Sequence, residues 1–352
     1  MMKHKIFFLS LLCMLCGFYA CDPAIDNPMP DRPNPMGRGI YILNYGLTNG
    51  DGAGLDYFSI DSNRMHRNVF DLRNGTDPGK GIAGMSFWKQ YAFFTAEKSS
   101  VVWVINASTA MIAGRYNRLN DPRQLLIIDA EKTYLTSASQ KIVNVLHTAT
   151  LQNLGSISMP TTVEHLVKVS ERVFTNKANS SASGKVYVID YVLDRLTDSI
   201  AVPGVPVQLA ASPDGTLWVL CAGNEVQQHA LVAINAQTLQ LKQQIPLPTF
   251  DTLSAGMAFL PQGNMALLAG DVYLLEAQNG YTTPQLLISA SGRRFTSICY
   301  DAQKSDLYLT GYLPAVSGGF LYHYSTNGVL IDSMQTGLMP VKAALNQQPS
   351  NP

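Results

Sequence analysis

The chain has 352 residues, with 25 basic and 25 acidic side chains and a formal net charge of zero. Charged residues make up only 14% of it, against roughly 25% in average soluble proteins. This composition offers no basic surface for nucleic acid and no polybasic run for anionic lipid, and it argues against a coiled coil and against disorder.

The first twenty residues have the features of a secretory signal. A short basic start precedes an almost wholly apolar run from Ile6 to Cys16. Its eleven residues are too few for a permanent membrane helix, which needs about 18–20. Small Ala20 stands directly before Cys21, an arrangement similar to the lipobox of bacterial lipoproteins. We expect residues 1–20 to be a signal peptide and Cys21 to be lipidated; an ordinary signal peptide with an incidental cysteine is the alternative.

A proline-rich segment follows the lipidation site. Five prolines lie between Pro23 and Pro35. Because proline fixes φ and lacks a backbone N–H, this segment cannot join a sheet and should run extended. We expect residues 21–38 to be a tether that holds the folded domain away from the membrane.

A repeat of about forty residues organises the rest of the chain. Its unit is four strands joined by short turns, and the clearest copy starts at Pro206 and contains the turn Pro213–Gly215. The first strands of successive copies begin near Ile82, Arg123, Val163, Val207, Ser254 and Phe295. These starts are 40 to 47 residues apart, a period typical of the four-stranded blades of a β-propeller.

The two ends of this region complement each other. The part from Gly39 to about Leu72 supplies three strands, and the apolar run from Pro340 supplies one. Together they would complete a seventh blade and close the ring, which removes exposed sheet edges. The predicted fold is all-β: one seven-bladed β-propeller over residues 39–346, closed by a C-terminal strand and followed by a disordered tail, 347–352.

Two cysteines remain after Cys21. Cys221 and Cys299 each lie within an apolar run. Two thiols do not make a disulfide framework in a chain of this length, so we expect buried free cysteines, with a single bridge as the alternative.

Three features of the sequence resemble one family. They are the run GIYILNYG after a proline-rich tether, the middle-blade run PDGTLWVLCAG, and third strands that repeat VID or VIN. They are similar to the YncE-like, seven-bladed lipoproteins on the outer membranes of anaerobic gut and oral bacteria. BtuG-type members of that group capture cobalamin at the cell surface and pass it to a TonB-dependent transporter.

The resemblance implies a lipid-anchored outer-membrane protein that faces the cell exterior. It further implies capture of a scarce nutrient, cobalamin or a related corrinoid, for a TonB-dependent transporter. The shared motifs belong to the blade framework, so they assign no ligand-contact residue. A structural propeller that binds a protein partner or a surface glycan is the alternative.

Sequence motifs of enzymes are absent. The sequence contains no G-x-S-x-G, no H-E-x-x-H and no G-x-x-x-x-G-K-[ST], the patterns of common hydrolases, zinc proteases and nucleotide-binding loops. We therefore predict that the protein is not an enzyme and that it has no catalytic residue, metal or other cofactor.

One face of the predicted ring is the candidate binding surface. Loops that precede the first strand of a blade, and loops that join the second strand to the third, share a face of a propeller. The predicted ligand-contact residues there are Asn44, Tyr45, Arg123, Glu164, His165, Arg294, Phe295 and Tyr312. Aromatic, arginine and amide side chains suit a flat ligand with polar edges, such as a corrinoid or a sugar. Glu164 and His165 would line the central channel, where they either bind a ligand or solvate the channel.

Overall fold

The computed structural model describes residues 36–47, 52–177, 184–223, 227–314 and 318–346. The predicted signal peptide, Cys21, most of the tether and the tail lie outside the described residues. No helix within these ranges is long and apolar enough to cross a membrane.

Seven four-stranded antiparallel sheets make up the described part of the chain. Blade 1 contains β1 Gly39–Asn44, β2 Gly54–Ser59 and β3 Arg64–His66. Blade 2 contains β4 Ile82–Trp88, β5 Tyr91–Ala96, β6 Val101–Asn106 and β7 Ile112–Tyr116. Blade 3 contains β8 Pro122–Ile127, β9 Thr133–Ser137, β10 Ile142–Leu146 and β11 Asn153–Ser158. Blade 4 contains β12 Val163–Val169, β13 Arg172–Lys177, β14 Gly184–Asp190 and β15 Arg195–Val202.

The remaining blades repeat the same arrangement. Blade 5 contains β16 Val205–Ala211, β17 Thr216–Ala222, β18 Ala230–Asn235 and β19 Leu241–Pro246. Blade 6 contains β20 Ala255–Phe259, β21 Met265–Ala269, β22 Asp271–Leu275 and β23 Gln285–Ile288. Blade 7 contains β24 Arg294–Asp301, β25 Asp306–Tyr312, β26 Gly319–Ser325 and β27 Leu330–Thr336. The last strand, β28 Pro340–Asn346, returns to blade 1 as its innermost strand. The predicted all-β, seven-bladed propeller is confirmed.

The C-terminal strand closes the ring. β28 pairs with β1 along its whole length, with one register shift near its start. It also contacts the inner strand of blade 7, where the Ala343 N–H donates to Ser297 Oγ at 2.8 Å and the Thr296 hydroxyl donates to the Pro340 carbonyl at 2.6 Å. The strand thereby joins the first blade to the last, and neither inner strand is left as an exposed edge.

A short helix, α1 Val69–Asn74, separates blade 1 from blade 2, where sequence analysis expected strands alone. Its Phe70 side chain is fully buried. The Phe70 ring lies 5.4 Å from the ring of Phe94 and 5.1 Å from that of Trp103, measured between centroids. The helix therefore fills the junction between these blades with an aromatic side chain, which favours it over a continued strand.

The two described cysteines are both free thiols. Cys221 is buried and Cys299 is half-buried. Burial raises the pKa of each thiol to about 12, so neither is a reactive thiolate at neutral pH. The expectation of free cysteines is confirmed.

Candidate functional site

A cavity of about 900 Å³ opens at the mouth of the central channel. Its wall is formed by residues near the beginning of all seven inner strands and by residues at the ends of second strands. This is the face predicted for ligand binding. The volume lies at the upper end of the roughly 300–1,000 Å³ that small-molecule sites occupy.

The inner strands share an irregularity where they line this cavity. In six of the seven, the register between the inner strand and its neighbour shifts within the first few residues. The residues left unpaired by these shifts include Arg123, Glu164, His165, Thr296 and Val341, and all five line the cavity. A β-bulge re-aims the side chain of its extra residue. The repeated bulges therefore turn inner-strand side chains toward the channel mouth.

Arg123 is the centre of the main charge cluster. Its Nη1 donates to Glu97 Oε2 at 2.9 Å, while its Nε and Nη2 donate to Glu164 Oε1 at 3.1 and 2.6 Å. Lys98 Nζ lies 3.0 Å from Glu97 Oε1, and only 2% of the Glu97 side chain is exposed. Burial acts to raise the pKa of Glu164, but the charge and hydrogen bonds of Arg123 outweigh it, with a smaller contribution from His165 when its ring is protonated at low pH, and the pKa is lowered. The Glu164 carboxylate is therefore ionised at neutral pH.

Asn176 fixes the orientation of His165. The His165 backbone N–H donates to Asn176 Oδ1 at 2.9 Å, and the ring Nδ1 lies 3.3 Å from the same oxygen. Asn176 Nδ2 donates to the Pro206 carbonyl at 2.7 Å, so its Oδ1 is the acceptor and the ring proton lies on Nδ1. Burial lowers the pKa of His165 in spite of the adjacent Glu164 carboxylate. The ring is therefore neutral at pH 7, with a free lone pair on Nε2.

Lys342 is a cavity residue that sequence reasoning missed. In the sequence it is part of the apolar run PVKAAL, and only ring closure brings it into the channel. Among the residues that the structure describes, its amine has no hydrogen-bond or ion-pair partner. Burial lowers the pKa of this amine. A lone charged residue in an otherwise apolar strand was the one signal that could have indicated it.

Most of the predicted ligand-contact residues meet at this cavity. Its wall includes Tyr45, Arg123, Glu164, His165 and Tyr312. Burial and the neighbouring Glu97 carboxylate raise the pKa of Tyr45, so its phenol stays protonated. Arg294 lies beside the wall: its Nη1 donates to the Tyr312 hydroxyl at 3.0 Å, and its guanidinium also pairs with Asp251.

Asn44 and Phe295 lie behind the wall, which corrects the sequence prediction for both. Their side chains are fully buried. Asn44 Nδ2 donates to Asp56 Oδ2 at 2.9 Å, and the Phe295 ring meets the Tyr322 ring edge-on at 5.5 Å. Successive side chains of a strand point to opposite faces of the sheet, and these two point into their blades. They support the wall without contacting the cavity.

The cavity wall is polar on one side and apolar on the other. Blades 3 and 4 contribute Arg123, Gln124, Glu164, His165 and Asn176. Blades 5 and 6 contribute mainly apolar residues, Val205, Pro206, Val207, Ala222, Ala255 and Met257, together with the polar Gln208. No group of three or more His, Cys, Asp or Glu side chains within the described ranges could hold a metal ion. This wall suits a molecule that has both a polar part and an apolar body.

Comparisons with known proteins agree with this fold. The family described as "Domain of unknown function (DUF5074)" matches residues 38–337, and no curated protein matches the chain in sequence. The structure is similar to a quinonprotein alcohol dehydrogenase-like protein from Bacteroides thetaiotaomicron (TM-score 0.69, 13% identity, covering 89% of this chain and 79% of that one). It is also similar to Kuenenia stuttgartiensis hydrazine synthase (TM-score 0.61, 11% identity, covering 84% of this chain and 96% of that one). A streptogramin B lyase is similar as well (TM-score 0.55, 10% identity, covering 86% of this chain and 87% of that one). At these identities the likenesses show the propeller fold alone.

Proposed function

We propose that this chain, which belongs to the DUF5074 family, is a ligand-capture lipoprotein that binds a scarce small molecule without transforming it. The observation that carries the proposal is the open cavity of about 900 Å³, walled by all seven inner strands. A rigid ring needs little reorganisation on binding, which lowers the free-energy cost of capture.

The proposed ligand is cobalamin or a related corrinoid, which the protein would pass to a TonB-dependent transporter. The protein would be anchored in the outer membrane through Cys21 and would face the cell exterior. The sequence resemblance to BtuG-type lipoproteins suggests this setting. The mixed wall of the cavity, with Tyr45 and Tyr312 beside charged groups, supports a flat ligand with polar edges.

Calorimetry with cyanocobalamin tests this function directly. We expect the mature protein to release or absorb heat on titration, to co-elute with the pink corrinoid in gel filtration, and to return it with unchanged mass. Absence of heat and of co-eluting colour at micromolar protein would eliminate cobalamin and favour a propeller that binds a protein partner or a surface glycan. A changed mass would contradict capture without turnover.

The double replacement Arg294→Ala with Tyr312→Ala should weaken cyanocobalamin binding at least tenfold. Tyr312 lines the cavity, and Arg294 donates to its hydroxyl. Loss of an aromatic or arginine anchor at a binding hot spot costs about 2 kcal/mol or more, which exceeds the 1.4 kcal/mol of a tenfold change. Calorimetry gives the two dissociation constants. Arg64→Ala, at an exposed position on β3, is the control and should leave the affinity for cyanocobalamin unchanged. If the double variant binds cyanocobalamin as tightly as the wild type does, the binding site lies elsewhere on the ring.

Replacing Cys21 with alanine should abolish acylation and move the protein into the soluble fraction. The thiol is the atom that carries the lipid in the predicted lipobox. Cell fractionation, with mass spectrometry of the N-terminal peptide, measures both effects. Cys16→Ala, within the predicted signal peptide, is the matched control and should keep the lipid mass. If Cys21→Ala stays membrane-bound like the wild type, and neither protein carries the mass of a lipid, the prediction of a lipid anchor at Cys21 is wrong.

A further inference from the structure

We infer that the cavity selects an anionic ligand, and that Lys342 pairs with the carboxylate, phosphate or sulfonate group of that ligand. The inference rests on the proposed function only in taking the same cavity as the binding site. It adds a chemical class of ligand and the residue that recognises it.

The closing strand carries Lys342 into the wall of the cavity. Val341 is left unpaired by the register shift between β28 and β1, and Val341, Lys342 and Ala343 all line the cavity. The lysine side chain is half-buried. It is surrounded by protein yet faces the open space of the channel, which is where a bound molecule would be in reach of its amine.

The other charges of the wall are already compensated. Glu164 is the single carboxylate among the described wall residues, and Arg123 binds it at 3.1 and 2.6 Å. The remaining Nη1 of Arg123 donates to Glu97, which Lys98 also contacts. His165 is neutral and offers a lone pair at Nε2. Within the described ranges, Lys342 is therefore the one cation of the wall that lacks a counter-charge.

An uncompensated ammonium inside a protein is costly. Lysine is almost never fully buried without a partner, because removing a charge from water is unfavourable unless an opposite charge replaces the lost hydration, and the half-buried Lys342 carries part of this cost. Burial accordingly lowers the pKa of Lys342, and the Lys342 charge in turn lowers the pKa of His165. An anion bound in the cavity would supply the missing counter-charge. Unfavourable groups kept in a cavity are typical of binding sites.

The apolar side of the wall defines the rest of the ligand. Leu253, Met257 and Ile298 line the same cavity and present no charge. A small inorganic anion would leave this surface in contact with water. The geometry therefore points to an anion that is attached to an apolar body, with the charged group at Lys342 and the body against blades 5, 6 and 7.

Two fluorescent probes separate the anion from the apolar body. The anionic probe is 8-anilino-1-naphthalenesulfonate, and N-phenyl-1-naphthylamine has the same rings without the sulfonate. Titrated into the mature full-length protein, the anionic probe should bind at least about tenfold more tightly than the neutral one. Lys342→Met should remove this preference, lowering affinity for the anionic probe by about tenfold and changing that for the neutral probe less than about twofold.

Three further measurements make the experiment decisive. Lys342→Arg keeps the charge and should keep the preference, while Lys304→Met, an exposed lysine on the turn after β24, should change nothing. The melting temperature of Lys342→Met should rise by roughly 2 °C, because the variant lacks an unpaired charge. A rise shows that the variant is folded and that the lysine is kept at a cost to stability. Wild-type protein that binds both probes equally, or neither, would overturn the inference.

A fall in affinity for both probes alike in Lys342→Met would also overturn it, since the lysine would then act through the shape of the cavity. Cyanocobalamin titrations on the same samples keep the two proposals apart. Corrinoid binding without a preference for the anionic probe would contradict the anion inference and leave capture standing. A preference for the anionic probe without corrinoid binding would support the anion inference and remove cobalamin as the ligand.

Discussion

Deleting the chain from Pro340 onward should leave a protein that no longer unfolds in one cooperative transition near the wild-type temperature. The deletion removes the ladder between β28 and β1 and the buried side chains of Ala343, Ala344 and Asn346. Each lost hydrogen bond contributes about 1 kcal/mol, so the ladder and the burial together contribute more than about 5 kcal/mol, comparable with the whole stability of many domains. Thermal melts followed by circular dichroism measure the loss.

The truncated protein should also associate, because the deletion exposes the edge of β1 and the inner strand of blade 7. Gel filtration at two protein concentrations detects this. A shorter deletion that removes only residues 347–352 is the matched control and should melt with the full chain. Coinciding melts for the full chain and the Pro340 truncation would mean that β28 is dispensable for the ring.

The architecture was predictable because its signals are local. Strand starts predicted near Ile82 and Val163 coincide with the first residues of β4 and β12. The turn at Pro213–Gly215 is present, with Gly215 at φ 80°, a conformation that favours glycine. Alternating apolar residues and turn residues act over a few positions, and their regular spacing is what reveals a repeat architecture.

The details of the site depend on contacts between distant parts of the chain. The Lys342 charge lowers the pKa of His165 across a ring that the sequence order does not reveal. The bulges carry no local signal, and a shift of one residue in a strand sends a side chain to the opposite face. This is why Phe295 was predicted on the cavity and lies behind it, while Thr296, the next residue, lines it.

Replacing Arg123 with methionine should lower the free energy of unfolding by about 2–3 kcal/mol at neutral pH. Methionine keeps much of the side-chain length but leaves Glu164 without its cation and Glu97 with Lys98 alone. Breaking a fully buried pair costs about 3–5 kcal/mol. The cost here is smaller because 31% of the Arg123 side chain is exposed and solvent screens part of the interaction. Urea unfolding of both proteins gives the difference.

Lowering the pH should reduce the difference in the free energy of unfolding between the wild type and Arg123→Met. This direction follows from the lowered pKa of Glu164 in the folded protein. The stabilisation of a carboxylate with a lowered pKa is complete above its unfolded pKa of about 4.3 and is lost as the pH falls through the folded value. In the variant the arginine charge is gone and burial remains, so Glu164 should protonate at a higher pH than in the wild type. The two stabilities should therefore converge below about pH 4.5.

Two variants test whether charge is the cause. Arg195→Met, at an exposed position on the outer strand of blade 4, should change stability by no more than about 0.5 kcal/mol. Adding Glu97→Gln and Glu164→Gln to Arg123→Met should recover most of the loss, because the carboxylates that need the arginine are then neutral. If Arg123→Met matches Arg195→Met in urea at pH 7, the cluster of Arg123, Glu97 and Glu164 does not stabilise the ring. Recovery in the triple variant would instead show that the loss in Arg123→Met comes from the carboxylates of Glu97 and Glu164 left without their cation at the mouth of the channel.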